Sequence, residues 1–196
     1  MVWQIGRTTV HIGVWFWVSL SLLLIFDRSG TGALSLAAIL IHECGHLAVM
    51  ALMRAPPRRV IFRAFGILLD TDRLRSLSYR QEALVLLAGP AANLLTAALA
   101  LLCGGKALWF AAVNLIIGLF HLLPFAALDG GSLLALLLRR QSPSGRGERI
   151  ADLVSLLLLI PVFLLSILLC LSGKVNFSLP LILSVAILGS IQKTTA

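Results

Sequence analysis

Two histidines and a glutamate, His42, Glu43 and His46, lie within five consecutive residues of an otherwise apolar stretch. On an α-helix these side chains fall within one arc of about 100°, so two imidazoles one turn apart can reach the same metal ion. Zinc accepts histidine nitrogens at about 2.0 to 2.1 Å, and this spacing supplies two corners of its tetrahedron. The carboxylate between them then lies beside a corner left for water. The pattern therefore predicts a zinc site suited to hydrolysis.

A carboxylate in the middle of an apolar helix is costly, by about 2.5 kcal/mol or more on membrane-insertion scales. Glu43 therefore needs a compensating role inside the molecule, which a metal site provides. A polar contact between helices of a bundle is the alternative interpretation. Cys44 is predicted to point away from the metal face, whereas Gly45 is predicted to let a neighbouring helix approach closely.

Two histidines leave a third protein ligand to be found, and Asp129 is the best candidate. It follows Pro124, which ends an apolar run, and precedes Gly130 and Gly131, which allow a tight change of direction. The alternative is that Asp129 is an N-cap for a helix over residues 132–138. The other carboxylates sit in loops or at the ends of apolar runs and are expected to be solvated or to cap helices. They are Asp27, Asp70, Asp72, Glu82, Glu148 and Asp152.

The composition indicates a lipid environment for these residues. Of 196 residues, 59% are hydrophobic and only 12% are charged, against roughly 25% charged residues in soluble domains. A water-soluble globule is therefore excluded, as are disordered and fibrous classes. The net charge of +8 comes from basic residues that lie between apolar runs, so it predicts membrane orientation and no direct nucleic-acid binding. The three cysteines show no paired spacing, and no disulfide framework is expected.

Long apolar runs predict an all-α polytopic membrane protein with six transmembrane helices. The predicted spans cover residues 8–26, 32–53, 82–104, 107–123, 151–172 and 176–192. With a cytoplasmic N-terminus, thirteen Lys and Arg residues fall on the inner side of the membrane and three on the outer side. This asymmetry predicts that both termini and the two longest loops are cytoplasmic. His46 and Asp129 then both lie in the inner half of the bilayer, as a shared site requires.

The loop between the second and third spans contains short β-favouring runs over residues 60–69. The first run opens with Val60, and the second begins at Phe65 and Gly66. These runs predict a small β-hairpin at the membrane surface, whose edge can accept another chain as an extra strand. An irregular amphipathic loop is the alternative interpretation.

Polar residues also interrupt the third and fourth spans. His121 follows Asn114 by seven residues, so both lie on nearly the same helical face and predict a polar stripe toward the bundle interior. Asn93 follows Pro90, which kinks a helix and frees backbone carbonyl groups. A structural role for Asn93, in which its amide satisfies one of these carbonyls, follows from this spacing.

Three blocks of the sequence resemble the site-2 protease family of intramembrane zinc metalloproteases. The blocks are His42-Glu43-Cys44-Gly45-His46, Ala88-Gly89-Pro90-Ala91-Ala92-Asn93 and Leu128-Asp129-Gly130-Gly131. Together with the hairpin they cover residues 8 to about 140. The resemblance implies one zinc ion held by His42, His46 and Asp129, with Glu43 as the catalytic base.

Six spans, a short chain and the hairpin resemble most the sporulation branch of this family, whose members release a membrane-bound precursor of a late sigma factor. The resemblance implies a membrane-tethered substrate such as a sigma-factor precursor, a membrane-protein inhibitor or regulator, and a bacterial cell membrane, on the mother-cell side in a sporulating cell. That branch commonly carries a C-terminal nucleotide-binding CBS domain. No such domain is expected within residues 1–196, so either nucleotide control is absent or the sequence is part of a longer protein. We therefore expect a single domain over 1–196, with a core at 8–140 and accessory helices at 151–192.

The third block departs from the family pattern. Where the family usually has Asn, Pro and a further Pro two residues before the Asp, this chain has His121, Pro124 and Ala127. His121 is predicted to take the hydrogen-bonding place of the family Asn. The alternative is an extra zinc ligand. For Asn93, the resemblance adds direct support of the substrate or the active site as a second interpretation.

The predicted reaction is hydrolysis of a peptide bond in or near the bilayer, in a substrate extended by strand addition to the hairpin. Two alternatives come from other functional classes. A membrane zinc or ion transporter would bind the metal without hydrolysis, but it would be expected to carry polar residues along several spans. A catalytically silent membrane scaffold would not need the intact set of His42, Glu43 and His46.

Overall fold

The structure is a computed structural model that describes residues 2–5, 8–27, 29–63, 66–69, 77–141, 146–172, 184 and 187. The chain divides into two compact units, Met1–Phe120 and His121–Ala196. The expectation of a single domain over 1–196, with its core and accessory helices, stays a prediction.

Helices make up most of both units. The first unit contains α1 (Val14–Phe26), α2 (Thr31–Leu52), α3 (Tyr79–Cys103) and nearly all of α4 (Ala107–His121). The second unit begins with the last residue of α4 and contains α5 (Asp129–Gln141) and α6 (Arg146–Leu171).

Three of the described helices have the length and apolar composition needed to cross a membrane. They are α2, α3 and the part of α6 from Arg149 to Leu171. The shorter apolar helices α1 and α4 have 13 and 15 residues, below the roughly 20 residues of a typical span. The sixth predicted span, 176–192, falls almost entirely outside the described residues, so the count of six stays a prediction.

The first unit also contains a four-stranded sheet. Its strands are β1 (Val2–Ile5), β2 (Thr8–Ile12), β3 (Arg59–Arg63) and β4 (Gly66–Leu69), in the order β1-β2-β3-β4. β1 and β2 pair antiparallel, as do β3 and β4, and the central pair of β2 and β3 is parallel. The backbone N–H of Thr9 donates to the Arg58 carbonyl at 2.8 Å at one end of this central pair.

The sheet confirms the predicted hairpin within a mostly helical fold and corrects one other expectation. The first predicted span does not begin at residue 8, because residues 8–12 form β2. This segment contains the β-branched residues Thr8, Thr9 and Val10, which favour a strand. Its partner strand lies about 50 residues away, with Val10 opposite Val60, a pairing that local apolar character does not reveal. Phe65 lies outside the described residues.

The α2–α3 interface depends on a glycine contact. A Cβ atom on Gly45 would lie 2.5 Å from the carbonyl oxygen of Ala88 and 2.8 Å from the Cβ of Ala92. Only a glycine allows α2 to approach α3 this closely, which confirms the predicted role of Gly45. The preceding Cys44 is exposed, as predicted. This close approach brings the polar residues of α2 against the backbone of α3.

Candidate metal centre

The imidazoles of His42 and His46 lie side by side on the buried face of α2. They are 2% and 7% exposed, and their Nε2 atoms are 3.1 Å apart. Glu43, between them in sequence, is half-buried. The one-turn spacing predicted from the sequence therefore produces two adjacent imidazole nitrogens on one helix face.

Each of these imidazoles makes a hydrogen bond through its Nδ1 atom to α3. His46 Nδ1 lies 2.8 Å from the backbone carbonyl oxygen of Val85, and His42 Nδ1 lies 2.7 Å from the Oδ1 of Asn93. A carbonyl oxygen only accepts, so His46 must donate from Nδ1. One turn after Val85, Gly89 has no side chain to shield that carbonyl, which leaves it accessible to an imidazole from α2.

The orientation of the Asn93 amide is set by its other partners. Its Nδ2 donates to the Ala38 carbonyl on α2 and to the Oδ1 of Asn114 on α4, both at 2.9 Å. Asn114 in turn donates from Nδ2 to the Phe110 carbonyl at 2.9 Å. With both amide hydrogens of Asn93 engaged, its Oδ1 is the group that faces His42, and the imidazole must donate to it.

These bonds assign one tautomer to both neutral histidines. Because each Nδ1 carries the hydrogen, His42 and His46 direct the lone pairs of their Nε2 atoms toward the same small region. Two lone pairs 3.1 Å apart repel unless a cation lies between them. Two nitrogens bound to one tetrahedral zinc ion would be about 3.3 Å apart. The donor set and its spacing therefore fit a zinc ion.

Gly89 borders the same region from α3. A Cβ atom at this position would lie 2.4 Å from the Nε2 of His46 and 2.7 Å from the Nε2 of His42. No side chain larger than hydrogen fits there without displacing an imidazole. The sequence analysis placed Gly89 in a motif but assigned it no role. Its position four residues before Asn93, and thus on the same helix face, is the signal that could have identified it.

Asn93 does not have the purely structural role inferred from its distance to Pro90. Its amide hydrogens go to α2 and α4 rather than to a carbonyl freed by the proline. Its oxygen accepts a hydrogen bond from His42 and so orients that imidazole, whereas support of the substrate or an active site by Asn93 stays a prediction. Asn114 lies on the predicted polar stripe and holds Asn93 in place.

The second unit contains two further candidate residues. His121, the last residue of α4, has its Nδ1 3.1 Å from the Oδ2 of Asp129, the first residue of α5. The two side chains are 28% and 17% exposed. The hydrogen-bonding role of His121 and its alternative role as a zinc ligand both stay predictions. The helix begins at Asp129 itself, so the residue is not an N-cap for a helix starting at residue 132.

Two glycines hold the loop before Asp129 against the start of α5. A Cβ atom on Gly130 would lie 2.2 Å from the Leu122 carbonyl oxygen, and one on Gly131 would lie 2.1 Å from the Phe125 carbonyl oxygen. The chain therefore folds back tightly after α4, as predicted for this glycine pair. Helix α4 ends at His121, three residues before Pro124, which is consistent with the predicted stop.

The predicted site residues are carried by different elements of the fold. His42, His46, Asn93 and Asn114 form one buried hydrogen-bonded network in the first unit. His121 and Asp129 form a pair in the second unit. Val60 and Gly66 lie in the sheet, on β3 and β4.

Three comparisons with known proteins each find a similar protein or family. The family model described as Peptidase family M50 matches residues 105–162, the segment that contains His121 and Asp129. Stage IV sporulation protein FB of Bacillus subtilis (strain 168) is 27% identical over 148 residues, which cover 72% of this chain and 51% of that protein. The chain therefore spans about half the length of this curated relative.

A solved structure shares the fold. The Site-2 Protease from Methanocaldococcus jannaschii matches with a TM-score of 0.71 and 19% sequence identity, over 99% of this chain and 94% of that one. The family model indicates a peptidase, and the solved structure that shares the fold is a protease. The chain is thus similar to peptidase family M50 over residues 105–162, and it shares the fold of a site-2 protease.

Proposed function

We propose that this protein is a zinc metalloprotease that hydrolyses a peptide bond in or near the membrane segment of a membrane-tethered protein. The observation that carries the proposal is the geometry of His42 and His46. Their Nδ1 hydrogens are engaged by Asn93 and Val85, and their Nε2 atoms are 3.1 Å apart. This geometry supports a metal site, and the match of residues 105–162 to a peptidase family model supports its use in peptide hydrolysis.

Asp129 is the third ligand in this proposal. A carboxylate complements two neutral imidazoles, because one negative charge offsets part of the charge of a divalent ion. His121 donates to one carboxylate oxygen of Asp129 and thereby fixes how that carboxylate is presented. When bound, zinc supplies a Lewis acid that lowers the pKa of a water molecule toward about 7 and polarises the scissile carbonyl.

Glu43 is the proposed general base and acid. It lies between the two histidines in sequence, so its carboxylate is on the same helix as both proposed imidazole ligands. Its side chain is half-buried. An oxygen of this carboxylate takes a proton from the attacking water as the carbon–oxygen bond forms. It then gives the proton to the leaving amine nitrogen as the peptide bond breaks.

The substrate must be extended before it can be cut, because a helix keeps its carbonyl groups in internal hydrogen bonds. We propose that it adds as a strand to the edge of the sheet at β4, the hairpin region that includes Val60, Phe65 and Gly66. Within the described part of the chain, β4 is at the end of the strand order and pairs with β3 alone. Its outer backbone groups are suited to strand addition.

A membrane-bound sigma-factor precursor is the proposed substrate, and sporulation is the proposed setting. The ground for sporulation is the name of the Bacillus relative, a stage IV sporulation protein, and the ground for the substrate is the resemblance to the sporulation branch of the site-2 proteases. The proposed location is a bacterial cell membrane with both termini in the cytoplasm, and a membrane-protein inhibitor or regulator is a further proposed partner. Zinc transport and a silent scaffold receive no support from a peptidase family match.

The test is co-expression of the full chain with candidate single-span precursors, including a sigma-factor precursor, for wild type and Glu43→Gln. We expect a cleavage product with the wild type alone, and equal zinc content in the two purified proteins, because the substitution removes the base and keeps the imidazoles. Cleavage by Glu43→Gln would remove Glu43 from the role of base. Metal-dependent zinc uptake by proteoliposomes, with no cleavage of any precursor, would replace the protease proposal with a transporter.

A further inference from the structure

Helix α6 contacts the loop that carries Asp129 through one buried hydroxyl group. Ser155 is 0% exposed, and its Oγ accepts the backbone N–H of Ala126 at 2.8 Å. Ala126 belongs to the loop 122–128 between α4 and α5, three residues before Asp129. Both partners of the bond lie in the second unit.

The loop makes further backbone bonds on either side of this contact. The N–H of Phe125 donates to the Leu123 carbonyl and the N–H of Leu128 donates to the Phe125 carbonyl, both at 2.8 Å. These two bonds shape the turn from within. The Ser155 bond differs from them because it joins the loop to another helix, 29 residues further along the chain.

The start of α5 is packed against the same point of the loop. A Cβ atom on Gly131 would lie 2.8 Å from the backbone nitrogen of Ala126, the atom that donates to Ser155. The loop is therefore held between the first turn of α5 on one side and Ser155 on the other. Because Asp129 is the first residue of α5, a shift of Ala126 is transmitted to its carboxylate through a short and tightly packed segment.

We propose that Ser155 is a positioning residue for the metal ligand Asp129. This proposal rests on the proposed function, in which Asp129 holds zinc. Without the hydroxyl acceptor, the partly buried N–H of Ala126 loses its hydrogen-bond partner, and the loop shifts toward another one. Removal of a group that orients a metal ligand typically lowers metal affinity by about 10- to 100-fold.

The experiment compares Ser155→Ala with a matched control on the same helix, Ser166→Ala. Ser166 is also buried, and its Oγ donates to the Phe163 carbonyl within α6 at 2.6 Å. The two variants remove the same atom from the same helix, but only the first removes a bond to the Asp129 loop. Zinc affinity of the apoprotein in detergent, measured by chelator competition, is the first readout, and kcat and KM for a cleaved precursor are the second.

We expect Ser155→Ala to bind zinc about tenfold more weakly than Ser166→Ala, with a lower kcat and little change in KM. Ser155→Thr retains the hydroxyl and is expected to restore zinc affinity. If Ser155→Ala does not fold, Ser155→Cys carries the test. Its thiol is a weaker acceptor of similar size, and a smaller loss of zinc affinity in the same direction is expected.

Equal zinc affinity and equal kcat in the Ser155 and Ser166 variants would overturn the positioning role. The two proposals fail in different ways. If no variant, including wild type, cleaves any precursor, the proposed function fails. Weaker zinc binding in Ser155→Ala would still support the role of Ser155 toward Asp129.

Discussion

The Oδ1 of Asn93 on α3 accepts the Nδ1 hydrogen of His42 on α2 at 2.7 Å, in a contact between residues 51 positions apart. Both amide hydrogens of Asn93 are engaged elsewhere, so the amide cannot rotate without breaking two buried bonds. The imidazole is consequently held in one tautomer with its Nε2 lone pair directed toward His46. A metal site built in this way is ordered before the ion arrives, which reduces the ordering cost of binding.

Replacing Asn93 with Ala should weaken zinc binding by about 10- to 100-fold, because His42 then loses the acceptor that selects its tautomer. Chelator competition on the purified apoprotein measures this change. Thr96→Val is the matched control, since the Thr96 hydroxyl donates to the Ala92 carbonyl within α3 at 2.8 Å and does not contact either histidine. Unchanged zinc affinity in Asn93→Ala would show that the tautomer does not depend on this amide.

Gly89→Ala should abolish zinc binding at micromolar metal, because the added methyl group would lie where both Nε2 atoms are directed, at 2.4 and 2.7 Å from them. Zinc content after purification is the measurement. Gly13→Ala is the control, because a Cβ atom there meets only the carbonyl oxygen of Phe62, at an ordinary contact distance of 3.4 Å. We expect this control to retain zinc. A zinc-replete Gly89→Ala protein would contradict the assigned position of the ion.

The parts of the site that a local pattern encodes could be predicted from the sequence. The spacing of His42 and His46 specifies one helix face once the segment is helical, and Gly130 and Gly131 indicate a tight turn wherever the chain lies. The partners of these residues come from distant segments. Val85 contributes a backbone carbonyl, a group that every residue has, so no residue type could mark it as a partner of His46.

The sheet was only partly predictable for the same reason. The hairpin of β3 and β4 joins neighbouring segments and could be identified from its β-favouring residues. Pairing of β2 with β3 joins segments about 50 residues apart, and Thr8 to Ile12 are apolar enough to be mistaken for the start of a span. Parallel pairing has no adjacent turn that would mark it in the sequence.

The pH dependence of stability should include a contribution from Asp27 at the start of α2. Its Oδ2 accepts the backbone N–H of Ala33 at 2.9 Å, and this bond is the main cause that lowers the pKa of Asp27 below the ordinary value of 3.8. A carboxyl whose pKa is lower in the folded state stabilises the fold above its unfolded pKa. That contribution is lost as the pH falls through the folded value.

Thermal unfolding between pH 6 and pH 2.5 tests this contribution in wild type, Asp27→Asn and Asp27→Ala. Asn can still accept the N–H of Ala33 but does not titrate, so the difference in Tm between wild type and Asp27→Asn should shrink below about pH 4. Because Asp27 is only half-buried and remains accessible to solvent, the effect should be small and should weaken in high salt. A difference that stays constant over this pH range would exclude Asp27 from the acid response.

The contact between His121 and Asp129 leads to a prediction that separates the two interpretations of His121. As a hydrogen-bond donor to Oδ2, the imidazole can be replaced by an amide N–H, so His121→Asn should keep zinc affinity within about threefold of wild type. His121→Ala should bind zinc about tenfold more weakly, because the Asp129 carboxylate loses the group that orients it. Asp129→Ala should lower zinc affinity far more than His121→Ala, since it removes the proposed ligand itself.

The zinc affinities of these three variants, measured together with wild type, decide between donor and ligand. An amide side chain is a poor zinc ligand, so if His121 bound the ion directly, His121→Asn would fall to the level of His121→Ala. If His121 is a hydrogen-bond donor, the zinc affinity of His121→Asn should be close to that of wild type. The zinc affinity of His121→Ala should then lie between those of wild type and Asp129→Ala. The order of the zinc affinities therefore distinguishes a donor from a ligand even if every variant also loses some stability. Asn and Ala both remove the imidazole, but only Asn restores an N–H toward Asp129.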